Sequence, residues 1–389
     1  MEKLYDHQQK LVDEMPRRHV LAHEVGTGKT TTSLAMAHKA GYRTLVICPK
    51  ALKEHWVRKA RQYKVDVSVY SKEEFKKHVK DIEKFETVIV DEAHWFFGMK
   101  SQLNKSLKWY LHTHKPEYVW FLTGTAYRST PWDIYVMCIL LGKQILYPVF
   151  RNQFFYERRF GPRVVPVIKE GIEEELNAIV KEVGSIVLMS DCADVPEQTY
   201  SEEYLTLTKE QKKAISELED ITPIGRYSKE HQICGGTLKD SGKRYDTPKV
   251  ERVKELVAEN KHVIVVCRYN EELDMLEEEL SSERKVFVIR GDVKNKDEVI
   301  QNLSKEDPWV LLVNAKCSEG WEVPWCPLMV FYSYDFELKN YIQMMGRIQR
   351  MGHLKKNVYH SLIIADSVDE GVYDSMMKKE DFHIAIYTP

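Results

Sequence analysis

No stretch of this 389-residue chain approaches the ~18 consecutive apolar residues that a membrane span needs, so no membrane partner is expected. The opening, MEKLYDHQQK, is too polar for a secretory signal. No C-x-x-C pair occurs. The seven cysteines are scattered and odd in number, which favours a reducing compartment and a cytoplasmic location. Cys48 and Cys267 close apolar runs and read as buried strand residues. His231 and Cys234, in HQIC, have a metal-like spacing, but no second pair follows, and a structural role is the better reading. Net charge is only −2, so the chain lacks an overall basic signature. It also lacks helix-turn-helix and zinc-finger patterns, internal repeats and low-complexity tracts.

What is present suits soluble globular domains: 43% hydrophobic and 30% charged residues, at a length fit for two or three domains. Charge is unevenly spread. Residues 1–150 carry 24 Lys and Arg against 16 Asp and Glu, whereas residues 151–389 carry 33 against 43. A basic first part is the one more able to face phosphates.

Short apolar runs alternate with helix-like polar stretches. HVLAH, TLVICP, TVIVDE and VWFLTGT come first, then HVIVVCRY, KVFVIRGD, WVLLVNAK, LMVFYSY and YHSLIIAD. Near-continuous apolar strands between helices indicate parallel sheets covered on both faces. Two such sets predict an α/β protein with two doubly wound lobes. Residues 1–145 form the first and 196–389 the second. Between them, 146–195 reads as a helical insertion and linker. It opens with the aromatic and basic stretch YPVFRNQFFYERRFGPR, and the boundary near 195 falls in Asp194-Val195-Pro196-Glu197, which looks like a linker.

Four motifs carry chemistry. In LAHEVGTGKTTTS, a strand, a glycine turn and a helix follow one another. The phosphate-loop pattern G-x-x-x-x-G-K-[ST] wants glycine where His23 stands. Gly26, Thr27 and Gly28 would bring backbone N–H groups to a nucleotide's phosphates. Lys29 would reach the β- and γ-phosphates, and the Thr30 hydroxyl would ligate Mg²⁺. In ETVIVDEAHWF, a buried strand ends in two carboxylates. Asp91 would hold Mg²⁺, and Glu92 would orient and deprotonate the attacking water. A third strand ends in Thr123-Gly124-Thr125, able to sense the Asp91 and His94 region. In YIQMMGRIQRMGH, Gln343, Arg347 and Arg350 are spaced to share one helical face, with Gly352 as its cap. Arginines from a second lobe can stabilise a transferring phosphoryl group.

The order of these motifs resembles the superfamily-two helicases and, within them, the Swi/Snf-like ATPases, from LYDHQ to DEGVYDSM. That family's loop reads D-E-x-G-x-G-K-T, so HEVGTGKT is a variant with His23 for Asp, and no first glycine is expected. T-G-T followed by PWDIY is similar to the Swi/Snf-like pattern and unlike the S-A-T of DEAD and DEAH RNA helicases. The resemblance implies two RecA-like lobes with ATP between them. It implies Gln8 on adenine, Lys50 of CPKALKEHW on the nucleic-acid track, and Arg268, Lys316 and Gly320 in motifs IV and V. Thr125 joins the expected nucleic-acid contacts. Motif V keeps only Gly320 of the family's glycines, and QMMGRIQRMGH, which resembles motif VI, ends in His353 where Gln is usual. Short insertions mark a compact form of the kind frequent in phage and bacterial proteins.

The expected cofactors are ATP and Mg²⁺. The expected partner is double-stranded DNA, along which a monomer would translocate without separating strands. Two rival readings remain. One is a true helicase acting on forked, branched or single-stranded DNA, or RNA, with FRNQFFYERRFGPR as its wedge. The other is an ATP-gated DNA clamp or loading partner with weak catalysis.

Overall fold

The computed structural model describes residues 3–124, 130–160, 163–192, 197–218, 222–293, 295–349 and 356–378. The chain divides into two compact units, 1–192 and 193–389.

The first unit is built on six strands: β1 (Arg18–His23), β2 (Thr44–Cys48), β3 (Val67–Ser71), β4 (Thr87–Val90), β5 (Tyr118–Thr123) and, after a separate antiparallel hairpin of β6 (Phe155–Phe160) and β7 (Arg163–Ile168), β8 (Gly184–Val187). The order across the sheet is β3-β2-β4-β5-β1-β8, and every pairing is parallel. Side chains alternate between faces. Val20, Ile47, Val90 and Phe121 join one core, while Leu21, Val46, Ile89 and Trp120 join the other. Both faces are dry, which is why these strands read as unbroken apolar runs. Three helices bear on the site: α1 (Asp6–Glu14), α2 (Lys29–Ala40) and α3 (Lys53–Tyr63).

The second unit repeats the plan. Its sheet takes β9 (Gln198–Leu205), β12 (His262–Cys267), β13 (Lys285–Ile289), β14 (Trp309–Asn314), β15 (Leu328–Phe331) and β16 (Asn357–Ile364), in the order β13-β14-β12-β15-β16-β9, again all parallel. A two-stranded ribbon of β10 (Thr237–Leu238) and β11 (Lys243–Arg244) lies between β9 and β12 in the chain order. His231 and Cys234, just before it, are buried. The His231 ring lies 3.3 Å from Asp369, which accepts a 2.7 Å bond from the buried Lys249.

Two parallel six-stranded α/β sheets are thus the architecture, of the RecA-like kind. One detail departs from the sequence reading. The segment 146–195, expected to be helical, also contains the β6–β7 hairpin and the last strand of the first sheet, β8. Only four residues long, GSIV is too short to stand out. Its Gly184 lies so close to β1 that a Cβ would run into the Val20 carbonyl. The linker Asp194-Val195-Pro196 lies outside the described residues. No described helix is long and apolar enough to cross a membrane.

Candidate active site

Strand order brings three motifs together. β5 lies between β1 and β4, and β2 lies beyond β4, so the carboxyl ends of these neighbours form one rim. Open parallel sheets bind ligands at such rims.

β1 ends at His23, and the chain turns through Glu24 to Gly28 into α2. Gly26 and Gly28 have φ of 93° and 82°, a left-handed backbone that suits glycine. The glycines the turn requires are therefore these two. Position 23 is still strand and can carry a side chain. The Thr27 hydroxyl donates to the Glu24 carbonyl at 2.7 Å. The Thr27 carbonyl accepts Nε2 of Gln8 at 3.1 Å, and His7 Nε2 lies 3.1 Å from the same oxygen. Gln8, on α1, thus braces the loop's backbone. Lys29 Nζ donates to the carbonyls of His23 and Glu24, at 2.7 and 3.0 Å, and so reaches back across the loop. Thr30 follows in the first turn of α2, at a helix N-terminus that favours anions.

The His23 ring is fully buried, with Nε2 2.7 Å from Ser185 Oγ on β8. Burial, with help from the Lys29 charge, holds its pKa well below the ordinary histidine value. A neutral ring beside a serine hydroxyl avoids the desolvation that an aspartate would suffer here.

Asp91 directly follows β4 and is buried. Its backbone N–H donates to the Ile47 carbonyl at 2.8 Å. Its carboxylate oxygens accept Trp56 Nε1 at 2.9 Å and the Glu92 backbone N–H at 3.0 Å. Burial first, then the Glu92 charge, raises the Asp91 pKa above the usual carboxylate range; the Trp56 bond and the Lys29 charge oppose that rise. Glu92 has φ 47°, a left-handed conformation costly for a residue with a Cβ and typical of functional sites. Its carboxylate lies 3.2 Å from His94 Nδ1. Trp56 is the residue that motif reading passes over. Its only signal in the sequence is its place at the end of CPKALKEHW.

A carboxylate and a threonine hydroxyl are hard oxygen donors that suit Mg²⁺, and each Asp91 oxygen keeps a lone pair beyond its one protein bond. Gly124 closes the group. A Cβ there would lie 3.4 Å from the Val25 side chain and 3.9 Å from Lys29 Nζ, so the third motif packs on the loop. Thr123 is buried beside it; Thr125 lies outside the described residues. Lys50 is exposed at the end of β2.

In the second unit the motifs again follow strand ends. Arg268, after β12, forms an ion pair with Asp335, and its guanidinium lies 3.6 Å from the centre of the Phe336 ring. It is held inward rather than presented to solvent. Lys316, after β14, is exposed. Gly320 has φ 85°. Gln343 is buried and accepts the Ser318 hydroxyl at 2.8 Å. Arg347 donates to the carbonyls of Gln343 and Trp321, both at 3.0 Å, pinning motif V to motif VI.

The expectation of one helical face is corrected for Gln343 and Arg347. The helix Leu338–Met345 stops at Gly346, and Arg347 sits in the tight turn beyond it, its N–H on the Met344 carbonyl at 2.9 Å. A helix-disfavouring glycine at 346 lets the chain leave the α-helical path before the arginine. Arg350 and Gly352 lie outside the described residues.

No curated protein matches the chain. Among solved structures, the SWI2/SNF2 ATPase core of Sulfolobus solfataricus, in complex with double-stranded DNA, aligns with 97% of this chain and 91% of its own. Identity is 17% and the TM-score 0.44. Residues 248–352 match the family of the helicase conserved C-terminal domain. That span runs from the helix Pro248–Glu259 through Arg268, Gly320, Gln343 and Arg347. The second unit of this chain therefore holds, over residues 248–352, a segment that matches the helicase conserved C-terminal domain.

Proposed function

We propose that this protein is an ATP-dependent translocase on double-stranded DNA. The observation that carries the reading is the grouping of Lys29, Asp91, Glu92 and Gly124 at the carboxyl ends of three adjacent strands. Gln8 is assigned to adenine, and Gly26 to Thr30 to the phosphates. Thr30 and Asp91 are assigned to Mg²⁺, which supplies charge neutralisation at the β- and γ-phosphates when bound. Glu92 takes the proton of the attacking water, and its short tether to Asp91 fixes where that base stands. Arg347 and Arg350 are assigned to the charge that develops on the transferred group.

The Arg347 assignment has a direct consequence. Arg347→Ala is expected to lower kcat on the order of 10³-fold while nucleotide affinity changes little, since an arginine finger acts on the transition state. Steady-state kinetics beside nucleotide titration measures the split. Equal losses in both would assign Arg347 to motif V packing alone.

DNA as the track is supported by the T-G-T and PWDIY pattern and by exposed Lys50 and Lys316 at strand ends. Grip by phosphate contacts is independent of sequence and weakens with salt, by about 0.9 in log affinity per log salt for each neutralised phosphate. Duplex DNA of any sequence should therefore stimulate ATP hydrolysis, steeply less so as salt rises.

One observation favours a second reading, strand separation. The β6–β7 hairpin stands outside the sheet with Tyr156, Val164 and Val165 exposed beside Arg158 and Arg159. Aromatic and basic side chains on a protruding arm could stack on unpaired bases. Triplex displacement run beside forked-duplex unwinding decides between them. Displacement without unwinding supports translocation, and efficient fork opening supports the helicase. Stimulation by RNA alone would overturn DNA as the substrate.

A further inference from the structure

Three buried tryptophans show their indole partners. Trp120 Nε1 donates to the Pro16 carbonyl and Trp321 Nε1 to the Cys317 carbonyl, each at 2.8 Å. These satisfy a polar tip inside an apolar core, the usual need of a buried indole. Trp56 is different. Its fully buried indole donates to the carboxylate of Asp91, at 2.9 Å. The acceptor is an ionisable side chain at the nucleotide rim, not a spare backbone oxygen.

The path on the other side of Trp56 is short. It lies on α3, which begins directly after the turn Lys50–Leu52 at the end of β2. Lys50 is exposed there, and Lys53 pairs with Glu74 at 2.7 Å, anchoring the start of the helix. Asp91 is thus tied to this one segment twice, by its backbone N–H to Ile47 and by its side chain to Trp56. A shift of α3 on its strand would move the indole N–H and with it the carboxylate.

We propose that Trp56 is a positioning residue that fixes the Asp91 carboxylate for Mg²⁺–nucleotide and couples it to nucleic-acid contact at the Lys50 turn and α3. The inference rests on the translocase reading above. A charge-assisted hydrogen bond fixes a rotamer as well as stabilising a charge. Partners that orient a metal-binding carboxylate typically matter by 10–100-fold in metal affinity or activity. A tryptophan that served only the core would leave both the metal requirement and the response to DNA untouched.

The test uses the full-length chain with Trp56→Phe, which keeps an aromatic ring and removes the donor. Circular dichroism reports the fold. A fluorescent ATP analogue, titrated in EDTA and then across Mg²⁺ concentrations, reports binding without turnover. The expected result is unchanged binding in EDTA and a Mg²⁺ half-saturation raised about tenfold or more. Stimulation of hydrolysis by duplex DNA should fall by a similar factor. A second measurement does not depend on Trp56→Phe folding. In wild-type protein labelled with [15N]tryptophan, the resonance that Asp91→Asn displaces is the Trp56 indole. It should move on adding Mg²⁺–ADP and again on adding duplex DNA. A Trp56→Phe protein that matches wild type in Mg²⁺ dependence and stimulation, or an indole resonance that neither addition moves, overturns the role of Trp56 alone. A wild-type protein whose hydrolysis ignores DNA overturns the translocase reading, and the coupling with it.

Discussion

Lys29→Ala should bring ATP turnover close to background while the chain stays folded. The side chain opens α2 and sends its ammonium across the nucleotide loop to the carbonyls of His23 and Glu24. Those acceptors belong to the loop's own backbone, so the charge is already held at the turn that contains Gly26 and Gly28. With nucleotide bound, the same three N–H donors can turn to phosphate oxygens and neutralise charge as it builds on the leaving group. Losing one preorganised donor at a reacting centre costs about 10²–10³-fold, and here a full positive charge goes with it. The structural loss is small by comparison. Lys29 is half-buried at a helix start, and water can replace it at two loop carbonyls. A coupled ATPase assay measures turnover, and a thermal melt shows that the fold persists. Turnover near that of wild type would remove the loop from the catalytic site.

What the sequence reveals of this fold follows burial. The strands visible as apolar runs are those flanked by other strands, together with β13, whose KVFVI is apolar enough to show at an edge. Of the strands in the two six-stranded sheets, the three that escape notice, β3, β8 and β9, are all sheet edges. Edge strands are covered less, so VSVYS, GSIV and QTYSEEYL carry polar residues and show no continuous run. The motifs proposed to hold nucleotide are legible for a different reason. Glycines with positive φ, a lysine and paired acids stand within short strand–turn segments, so their pattern is complete in local sequence. Trp56 is not legible, because it lies on α3 while its partner Asp91 follows β4, and only the neighbouring places of β2 and β4 in the sheet bring them together. Arg347 was visible as a residue but misplaced, since spacing alone extends the helix past Gly346, where the chain turns.

Glu92→Gln should separate binding from hydrolysis. The two adjacent acids differ in what surrounds them. Asp91 is buried with each oxygen already accepting a hydrogen bond, the arrangement of a fixed ligand holder. Glu92 gives its backbone N–H to Asp91 and leaves its side chain half-buried, with His94 Nδ1 at 3.2 Å. Its left-handed backbone turns that side chain off the line of the strand, and such strain persists only where surrounding structure enforces it. Glutamine preserves the shape and the backbone bond to Asp91, but it cannot accept a proton. Loss of a positioned general base costs about 10²–10⁴-fold, so kcat should fall by that factor. Affinity for Mg²⁺–ATP should stay within a few-fold of wild type, because the groups that hold phosphate and metal are unchanged. Single-turnover hydrolysis beside equilibrium nucleotide binding gives both numbers. Binding that disappears together with hydrolysis would place Glu92 among the metal-holding groups. The base would then have to be sought elsewhere on the rim, starting with His94, whose Nδ1 lies 3.2 Å from the Glu92 carboxylate.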